Sequence, residues 1–349
     1  MDSVSQLVLG STVGYAVLGN KIGRKALLVG AAYGTLPDLD VLINFGGAVE
    51  NFVYHRGFSH SILVHLVAAP ILAWLMSKMK WAQSASLLRW ACAIFLILAT
   101  HAVLDSLTVY GTQLLWPLTT YPFGVSNLFI IDPLYTLPLL LAVIVISFIK
   151  TDRLLATKIN GFFLIFSCLY ATWSIGAKMY IDAKITKRLS ADGIEVIDYV
   201  STPSPFNTLL WRGVATTPGG HYEIYASIFD DVSDISMYFY ESQRELLNLI
   251  PKDKRLTQLT TFTKGLYGVY EQDGEIRFSD LRMGIEGAYV FTFVVAELQN
   301  DGYQVGSFEQ LSSRPQLSQT SLIFDRIFAP HIDLSLRARN SVSNQYPTD

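Results

Sequence analysis

The sequence has few charged residues, only two cysteines and no basic stripe, and each of these shortages excludes a class of protein. Charged residues make up 16% of the 349 residues and hydrophobic residues 51%, which is unusually apolar for a soluble protein. Two cysteines cannot build a disulfide framework, and because Cys92 and Cys168 lie in apolar stretches, we expect buried thiols. The formal net charge of -3, without clustered lysine or arginine, argues against nucleic acid as a partner.

Long apolar runs are present, and they are confined to about the first 178 residues. Six segments have nearly the length that a helix needs to cross about 30 Å of hydrocarbon: 4–19, 26–43, 62–77, 90–107, 134–149 and 159–177. The first two are rich in glycine and could be short or re-entrant helices. No signal-peptide pattern precedes them, so we expect the first run to remain in the mature protein. The sequence predicts a mainly α fold over residues 1–178, a polytopic transmembrane helical bundle of about 4–6 spans.

Lysine and arginine are unevenly distributed between the short loops. If the six segments alternate across a membrane, the short loops of one side contain only Arg56. The other side receives Lys21, Arg24, Lys25, Lys78, Lys80, Arg89, Lys150, Arg153 and Lys158. Because basic loops stay in the cytoplasm, we predict a multi-pass protein of the bacterial inner membrane with its C-terminal domain on the outer face. Four basic residues just beyond the last segment count against this orientation: Lys178, Lys184, Lys187 and Arg188.

Residues 179–335 have the composition of a soluble α+β domain. Alternating β-branched and aromatic residues at 222–228, 235–240, 265–270 and 289–296 predict an antiparallel sheet, with a helix near 242–250. His221 follows two glycines and is expected in a surface turn. The tail at 336–349, rich in serine, asparagine and arginine, is predicted to be disordered.

Three motifs place histidine and aspartate near the ends of apolar segments. They are Gly-Thr-Leu-Pro-Asp-Leu-Asp at 34–40, His-Arg-Gly-Phe-Ser-His-Ser at 55–61 and His-Ala-Val-Leu-Asp at 101–105. In the last motif, the i, i+4 spacing puts an imidazole and a carboxylate on one helical face. All three motifs fall on the outer side in the orientation above. Ionisable groups at membrane depth cost roughly 3 kcal/mol unless paired or coordinated, so these residues are functional candidates.

Histidine and aspartate together suit zinc or another first-row divalent ion. Each motif alone also has a structural explanation as a cap, an interfacial pair or an ion pair, and their conjunction favours a metal site. His65, one turn inside an apolar helix, fits a buried structural imidazole as well as a ligand. We predict that one or more divalent ions, most simply zinc, are bound by Asp38, Asp40, His55, His60, His101 and Asp105.

The same motifs resemble those of the YdjM-like membrane-bound metal-dependent hydrolases of bacteria. The opening Met-Asp-Ser and the stretches 16–19, 205–212 and 278–284 are also similar, so the resemblance covers most of the chain to about residue 297. The string at 55–61 is specific, whereas His-x-x-x-Asp alone would be weak. Tyr15 stands where many relatives are expected to have an acid, so a ligand role is lost there. The family is in turn remotely similar to zinc-dependent phospholipase C and single-strand nucleases.

The resemblance implies a hydrolase that uses a metal ion to attack a phosphoester, with membrane lipids as neighbours and a phospholipid as one candidate substrate. A carboxylate that does not bind metal, Asp38 or Asp40, would act as general base. Arg56 would hold phosphate oxygens with its planar guanidinium, although an interfacial contact with a lipid headgroup is an equal alternative. Asp132 is a spare ligand, and Trp116, Tyr121 and Asn127 would line the entrance.

Two other functions remain open on the sequence. A transporter also needs histidine and aspartate within the membrane, but near its middle and in repeated halves, and no repeat is visible here. A metal-binding scaffold without catalysis, or a membrane anchor for another enzyme, would hold its ion in closed coordination. The sequence leaves the oligomeric state undetermined.

Overall fold

The computed structural model describes residues 1–300, 302–311 and 320–336. Most of the predicted disordered tail, residues 337–349, lies outside the described residues. The chain divides into two compact units. We call residues 1–44 and 54–175 the helical unit, and residues 45–53 with the described part of 176–349 the β unit. The short segment 45–53 belongs to the β unit because Phe52 packs there, with its ring 4.8 Å from that of Phe262.

Seven helices lead the chain: α1 (Ser3–Ile22), α2 (Lys25–Thr35), α3 (Ala48–Tyr54), α4 (Ile62–Ser77), α5 (Leu87–Ser106), α6 (Pro133–Phe148) and α7 (Arg153–Ala191). Short 3₁₀ helices at Pro37–Leu42 and Phe58–His60 follow α2 and precede α4. Asp2, Ser61, Ser86 and Asp132 cap α1, α4, α5 and α6, because their side-chain oxygens accept hydrogen bonds from the first exposed N–H groups.

Glycines bring α1 and α2 into close contact. A Cβ atom on Gly10 would lie 2.3 Å from the carbonyl oxygen of Gly30, and one on Gly34 would lie 2.7 Å from that of Gln6. Only the absence of a side chain allows two helix backbones to approach so closely, as in glycine-mediated packing of membrane helices. This contact fixes the end of α2, and therefore the residues that follow it.

By length and composition, α5 and α7 can each cross a membrane, and α3 with α4 forms a third candidate that is bent by 52°. Helix α1 is long enough, but serine, glutamine, threonine and asparagine interrupt its apolar run. Helix α6 has only 16 residues. The structure therefore supports two or three candidate spans, fewer than the predicted four to six.

Three expectations change on the helices. The segment 26–43 is not one helix, because α2 ends at Thr35 and a 3₁₀ helix continues from Pro37. The last segment, expected at 159–177, is part of a helix of 39 residues. The expectation of buried thiols is wrong, because Cys92 and Cys168 are exposed on the outward faces of α5 and α7, where apolar side chains also point outward.

The β unit is built on antiparallel sheets, as predicted. Its strands are β1 (Tyr199–Pro203), β2 (Leu210–Thr217), β3 (Gly220–Ser227), β4 (Ser236–Glu241), β5 (Tyr267–Gln272), β6 (Glu275–Asp280), β7 (Gly284–Ile285), β8 (Ala288–Tyr289), β9 (Thr292–Gln299), β10 (Gly302–Val305) and β11 (Gln310–Leu311). The first sheet has the order β1-β2-β3-β4 and the second β10-β9-β6-β5, with β11 beside β9. The second half of α7 supplies Ile181 and Ile185 to the core of the first sheet, next to Trp211.

Two local expectations in the β unit are corrected. The helix expected near 242–250 is a 3₁₀ helix at Arg244–Leu249, and the α-helix of this region is α8 (Lys254–Phe262). A further helix, α9, covers Thr320–Arg326. His221 is not a surface residue: it lies in β3 opposite Tyr240, is 3% exposed, and its Nε2 lies 3.0 Å from the Tyr289 hydroxyl. The turn after β2 is only two residues long, so His221 already belongs to the strand.

Candidate metal centre

Four predicted ligands from three separate segments converge in the helical unit. We call Asp38, His60, His101 and Asp105 the four-ligand cluster. One ligand atom from each lies within 4.8 Å of the others. Asp38 comes from the 3₁₀ helix after α2, His60 from the one before α4, and the other two from adjacent turns of α5. His60, His101 and Asp105 are almost completely buried, whereas the Asp38 side chain is 21% exposed.

The separations between these atoms fit a four-coordinate ion. The two Nε2 atoms of His60 and His101 are 3.0 Å apart. Asp38 Oδ1 lies 3.6 and 3.4 Å from them, and Asp105 Oδ2 lies 3.1 and 3.9 Å from them. A tetrahedral site with bonds of 2.0–2.1 Å requires ligand atoms about 3.3 Å apart. The cluster therefore has the spacing and the two-nitrogen, two-oxygen donor set of a four-coordinate site for a divalent metal ion.

Both histidines of the cluster are oriented through their other ring nitrogen. His101 Nδ1 lies 2.7 Å from the carbonyl oxygen of Gly34, in the last turn of α2, where helix carbonyls lack partners within the helix. His60 Nδ1 lies 2.9 Å from the Ser59 hydroxyl. Imidazoles that bind a metal almost always have such a partner at the second nitrogen, which fixes the tautomer and turns Nε2 towards the ion.

Asp40 and His55, also predicted as ligands, stand beside the cluster and not in it. His55 Nδ1 lies 2.8 Å from Asp40 Oδ1, while Asp40 Oδ2 accepts hydrogen bonds from the Ser59 hydroxyl and the Arg56 backbone N–H. In a 3₁₀ helix with three residues per turn, side chains two positions apart point in different directions. Asp38 therefore faces the cluster, and Asp40 faces the loop that carries His55.

Arg56 lies against the cluster through Asp105. Its Nε is 3.0 Å from Asp105 Oδ2, its Nη1 donates to the Thr108 hydroxyl, and its guanidinium lies 5.1 Å from the centre of the Tyr110 ring. Arg56 has a positive φ of 63°, an uncommon conformation for a side chain of this size, held by its N–H bond to Asp40. The amino group of Met1 also contacts Asp105.

The cluster retains carboxylate capacity that protein hydrogen bonds do not use. Asp38 Oδ2 and Asp105 Oδ2 are buried without a hydrogen bond among the described residues, and the guanidinium of Arg56 lies at ion-pair distance from Asp105 Oδ2. Buried acceptors without partners are rare and often mark an ion or a water. Burial alone would raise the pKa of Asp38, but the neighbouring rings of His101 and His60 outweigh it and hold that pKa below its usual value. The carboxylate is thus kept in the form that binds a cation.

The remaining candidates lie elsewhere in their segments. His65 is buried one turn into α4, with its Nε2 2.8 Å from the Ser59 carbonyl oxygen, so it supports the loop before the cluster. Asp132 caps α6 and accepts a hydrogen bond from the Tyr170 hydroxyl, so it is not a ligand of the cluster. Asn127 donates to the Ser174 hydroxyl.

Gln6 was missed by sequence reasoning. Its side chain is fully buried in α1, and its amide nitrogen lies 2.8 Å from Asp105 Oδ1 and 3.3 Å from the His101 carbonyl oxygen. A polar amide inside an apolar helix was the available signal, since polar groups at membrane depth are kept where they have partners. Gln6 holds Asp105 from the side opposite to Arg56.

Comparison with known proteins agrees with the motifs. The family model of the YdjM inner membrane proteins matches residues 1–182, which is more than half of the chain and includes the whole four-ligand cluster. The predicted resemblance to this family is confirmed. No solved structure matches the chain significantly.

Two curated proteins are similar in sequence. The inner membrane protein YbcI of Escherichia coli is 41% identical over 106 residues, which cover 29% of this chain and 58% of that protein. The uncharacterized protein YfhP of Bacillus subtilis is 22% identical over 323 residues, covering 84% of this chain and 90% of that protein. This chain thus spans little more than half of YbcI and nearly all of YfhP.

Proposed function

The chain belongs to the YdjM inner membrane protein family, and from this premise we propose that it is a membrane-bound, metal-dependent hydrolase of phosphoesters. The observation that carries the proposal is the four-ligand cluster, whose printed separations of 3.0–3.9 Å surround the space of one ion. Imidazole nitrogens and carboxylate oxygens suit zinc and related divalent ions, and catalysis needs one position of the ion kept open for water. The partial exposure of Asp38 leaves one side of the cluster open to a substrate.

A bound divalent ion polarises a phosphoryl oxygen and makes water a better nucleophile near neutral pH. The chain's own residues provide the other functions. His55 is 29% exposed, and its Nδ1 is held by Asp40, which leaves the opposite ring nitrogen to take or give a proton. We therefore assign the base to the His55–Asp40 pair, with Asp40 as its positioning residue. Arg56 balances the charge of Asp105, and we propose that its guanidinium also holds phosphate oxygens of a substrate.

The basic loops support the proposed orientation. Arg24 donates to the Ser147 carbonyl oxygen, Arg153 to that of Asn20 and the Ser84 hydroxyl to that of Lys21, so the three basic loops meet at one end of the helical unit. The four-ligand cluster lies at the opposite ends of α2, α4 and α5. With α6 added to the three candidate spans, we propose four crossings, or six where α1 and α2 also cross, with basic loops in the cytoplasm, and the cluster and the C-terminal domain on the outer side.

Three of the four basic residues that count against this orientation have partners, and one of them is Arg188, which donates to the Ser233 carbonyl oxygen. Lys178 donates to Ser201, and Lys184 donates to the carbonyl oxygens of Ser227 and Ile228, all within the β unit. Basic residues engaged in a folded domain do not act as free positive charge beside a membrane helix.

The test combines metal analysis with an assay of hydrolysis. Full-length protein in detergent is compared with His60→Ala and Asp105→Asn for bound zinc and for phosphate release from a panel of phosphomonoesters, phosphodiesters and phospholipids. We expect about one ion per wild-type chain and loss of both metal and hydrolysis in each variant. Asp231→Ala, which alters an exposed acid of the β unit, should match the wild type.

A metal-binding scaffold without catalysis is the second candidate, and one observation favours it. Four protein ligands can close a tetrahedral zinc site, which is the usual form of a structural ion. Wild-type protein that binds zinc but releases no product from any member of the panel would favour this scaffold. Full metal content in both His60→Ala and Asp105→Asn would refute either function.

A further inference from the structure

A groove of about 250 Å³ lies beside the four-ligand cluster, within the helical unit. Aliphatic side chains form most of its wall, including Leu36, Val64, Ala68, Leu72 and Leu98. Its polar lining is restricted to Asp40, Ser59 and His65, which belong to the loop and the helix start around the cluster. The groove therefore has one polar end and an apolar remainder.

The polar end adjoins the cluster. Ser59 directly precedes His60, and its hydroxyl joins Asp40 to His60 Nδ1. Leu98 lies one turn before His101 on the same face of α5, because three residues separate them. None of the four ligands lines the groove itself, but Ser59 and Leu98 place its wall next to His60 and His101.

The apolar part runs along α4, away from the cluster. Val64, Ala68 and Leu72 follow at intervals of four residues, so they form one stripe on the helix surface. At 1.5 Å per residue this stripe is about 12 Å long. Helix α4 is half of a candidate membrane span, so the stripe leads from the membrane surface into the hydrocarbon. This is the direction in which a lipid chain lies.

The surroundings of the groove are apolar and exposed. Leu66, Val67 and Ile71, on the neighbouring face of α4, are between 57% and 64% exposed. Leu39 and Ile43, which line the groove from the 3₁₀ segment after α2, are also exposed. A continuous apolar surface of this kind is stable against lipid and not against water. The groove therefore opens to the bilayer.

We propose that this groove binds one acyl chain of a membrane lipid whose phosphoester headgroup faces the four-ligand cluster. The inference rests on the proposed function and narrows its substrate to lipids with a long chain. The three features that carry it are the polar end at Ser59, the stripe along α4 and the exposed apolar surroundings.

The first test fills the groove. Ala68→Trp places an indole in the middle of the stripe. It should lower kcat/KM for a long-chain phospholipid at least about tenfold more than for a water-soluble phosphodiester. The reason is that the loss of even one methylene group from an apolar pocket lowers kcat/KM about tenfold or more. Leu72→Trp should act in the same direction. Leu66→Trp, on the exposed face of the same helix, should leave the ratio unchanged. Equal losses for both substrates, or no loss for the lipid, would overturn the groove as a chain site.

The second test does not depend on hydrolysis. Wild-type protein and Ala68→Trp are mixed with vesicles of phosphatidylethanolamine and phosphatidylglycerol that contain a phosphatidylglycerol with a diazirine in one acyl chain, and are then irradiated. A chain in the groove labels Leu98, which is only 3% exposed, whereas any lipid around the protein labels Leu66. We expect Leu98 to be labelled in the wild type and not in Ala68→Trp. Labelling of Leu66 alone would contradict the proposal, and labelling of Leu98 without any hydrolysis would retain the groove and reject the hydrolase.

Discussion

The buried carboxylates of the two units have different neighbouring side chains. In the β unit, three buried acids each lie against an arginine of the same unit: Glu223 with Arg212, Asp230 with Arg326, and Asp280 with Arg282. In the helical unit, Asp38 and Asp105 face two imidazoles. Asp105 also forms ion pairs with Arg56 and the Met1 amino group, but Asp38 Oδ2 and Asp105 Oδ2 are buried without a hydrogen bond among the described residues. Paired charges satisfy each other, whereas buried acceptors that converge on one point are typical of a site for a cation.

This difference separates a structural role from a functional one. Arg326 donates to both carboxylate oxygens of Asp230 and to the carbonyl oxygens of Tyr225 and Asp234. These bonds pair both carboxylate oxygens of Asp230 within the protein and tie α9 to the first sheet. The four-ligand cluster, in contrast, is held at its periphery by Gln6, Ser59 and Gly34 and points its remaining atoms at one another.

The largest effect, on zinc affinity, is expected when both carboxylates of the four-ligand cluster are neutralised. In Asp38→Asn/Asp105→Asn, both anionic ligands become neutral while their shape is kept. Loss of an outer-shell partner typically lowers metal affinity roughly 10–100-fold, and loss of a direct ligand should lower it more. We therefore expect zinc affinity to fall about 10⁴-fold or more in the double variant. Titration with a competing chelator measures it. Asp230→Asn serves as a control, because its carboxylate is already paired, and unchanged affinity in the double variant would mean that the ion binds elsewhere.

The next effect is expected at the paired acids of the β unit. Arg326→Met leaves Asp230 buried beside a neutral side chain, so the free energy of unfolding should fall by about 3–5 kcal/mol. Arg277→Met removes one partner of the partly exposed Arg277–Glu275 pair and should cost less than about 1 kcal/mol. Denaturant unfolding measures both. Zinc content should remain that of the wild type in each variant, and equal losses of stability would contradict the distinction between buried and exposed pairs.

A smaller effect tests the boundary of the cluster. Asp40→Asn removes the anionic partner of His55 and weakens the support of Ser59, and through it of His60. We expect zinc affinity to fall about 10–100-fold, as for other outer-shell partners. His55→Ala should keep the wild-type zinc content but lose hydrolysis. Complete loss of zinc in His55→Ala would restore His55 as a direct ligand.

The smallest effect is on the pH dependence of stability, and it comes from Lys264, a lysine of the β unit near Arg282. Burial first, and then Arg282, lowers the pKa of Lys264 from 10.5 to about 8. Between pH 8 and 10.5 the unfolded chain keeps this proton and the folded chain has lost it, so this residue makes stability rise with pH across that window. The rise should be absent in Lys264→Met when melting temperatures of the two proteins are compared over this range. A parallel rise in the variant would assign it to other groups.

Local rules predicted much of the cluster. The i, i+4 spacing placed His101 and Asp105 on one face of α5, and the apolar segments placed all three motifs at the same end of their helices. The same rules could not sort the six predicted ligands, because Asp38 and Asp40 are chemically identical and two residues apart. Asp38 and Asp40 point in different directions because the chain after Pro37 is a 3₁₀ helix. An apolar run that ends in proline does not predict a 3₁₀ helix.

The amino-acid sequence by itself determined what depends on neighbours along the chain: apolar helices followed by an antiparallel β unit, family membership, and the types of ligand. Only the tertiary structure decided which side chains meet. Gly10 and Gly30 allow α1 and α2 to touch, and this contact brings the Gly34 carbonyl to His101 and Gln6 to Asp105. Periodicity shows the face of a helix that is buried but not its partner, since packing joins residues that are far apart in sequence.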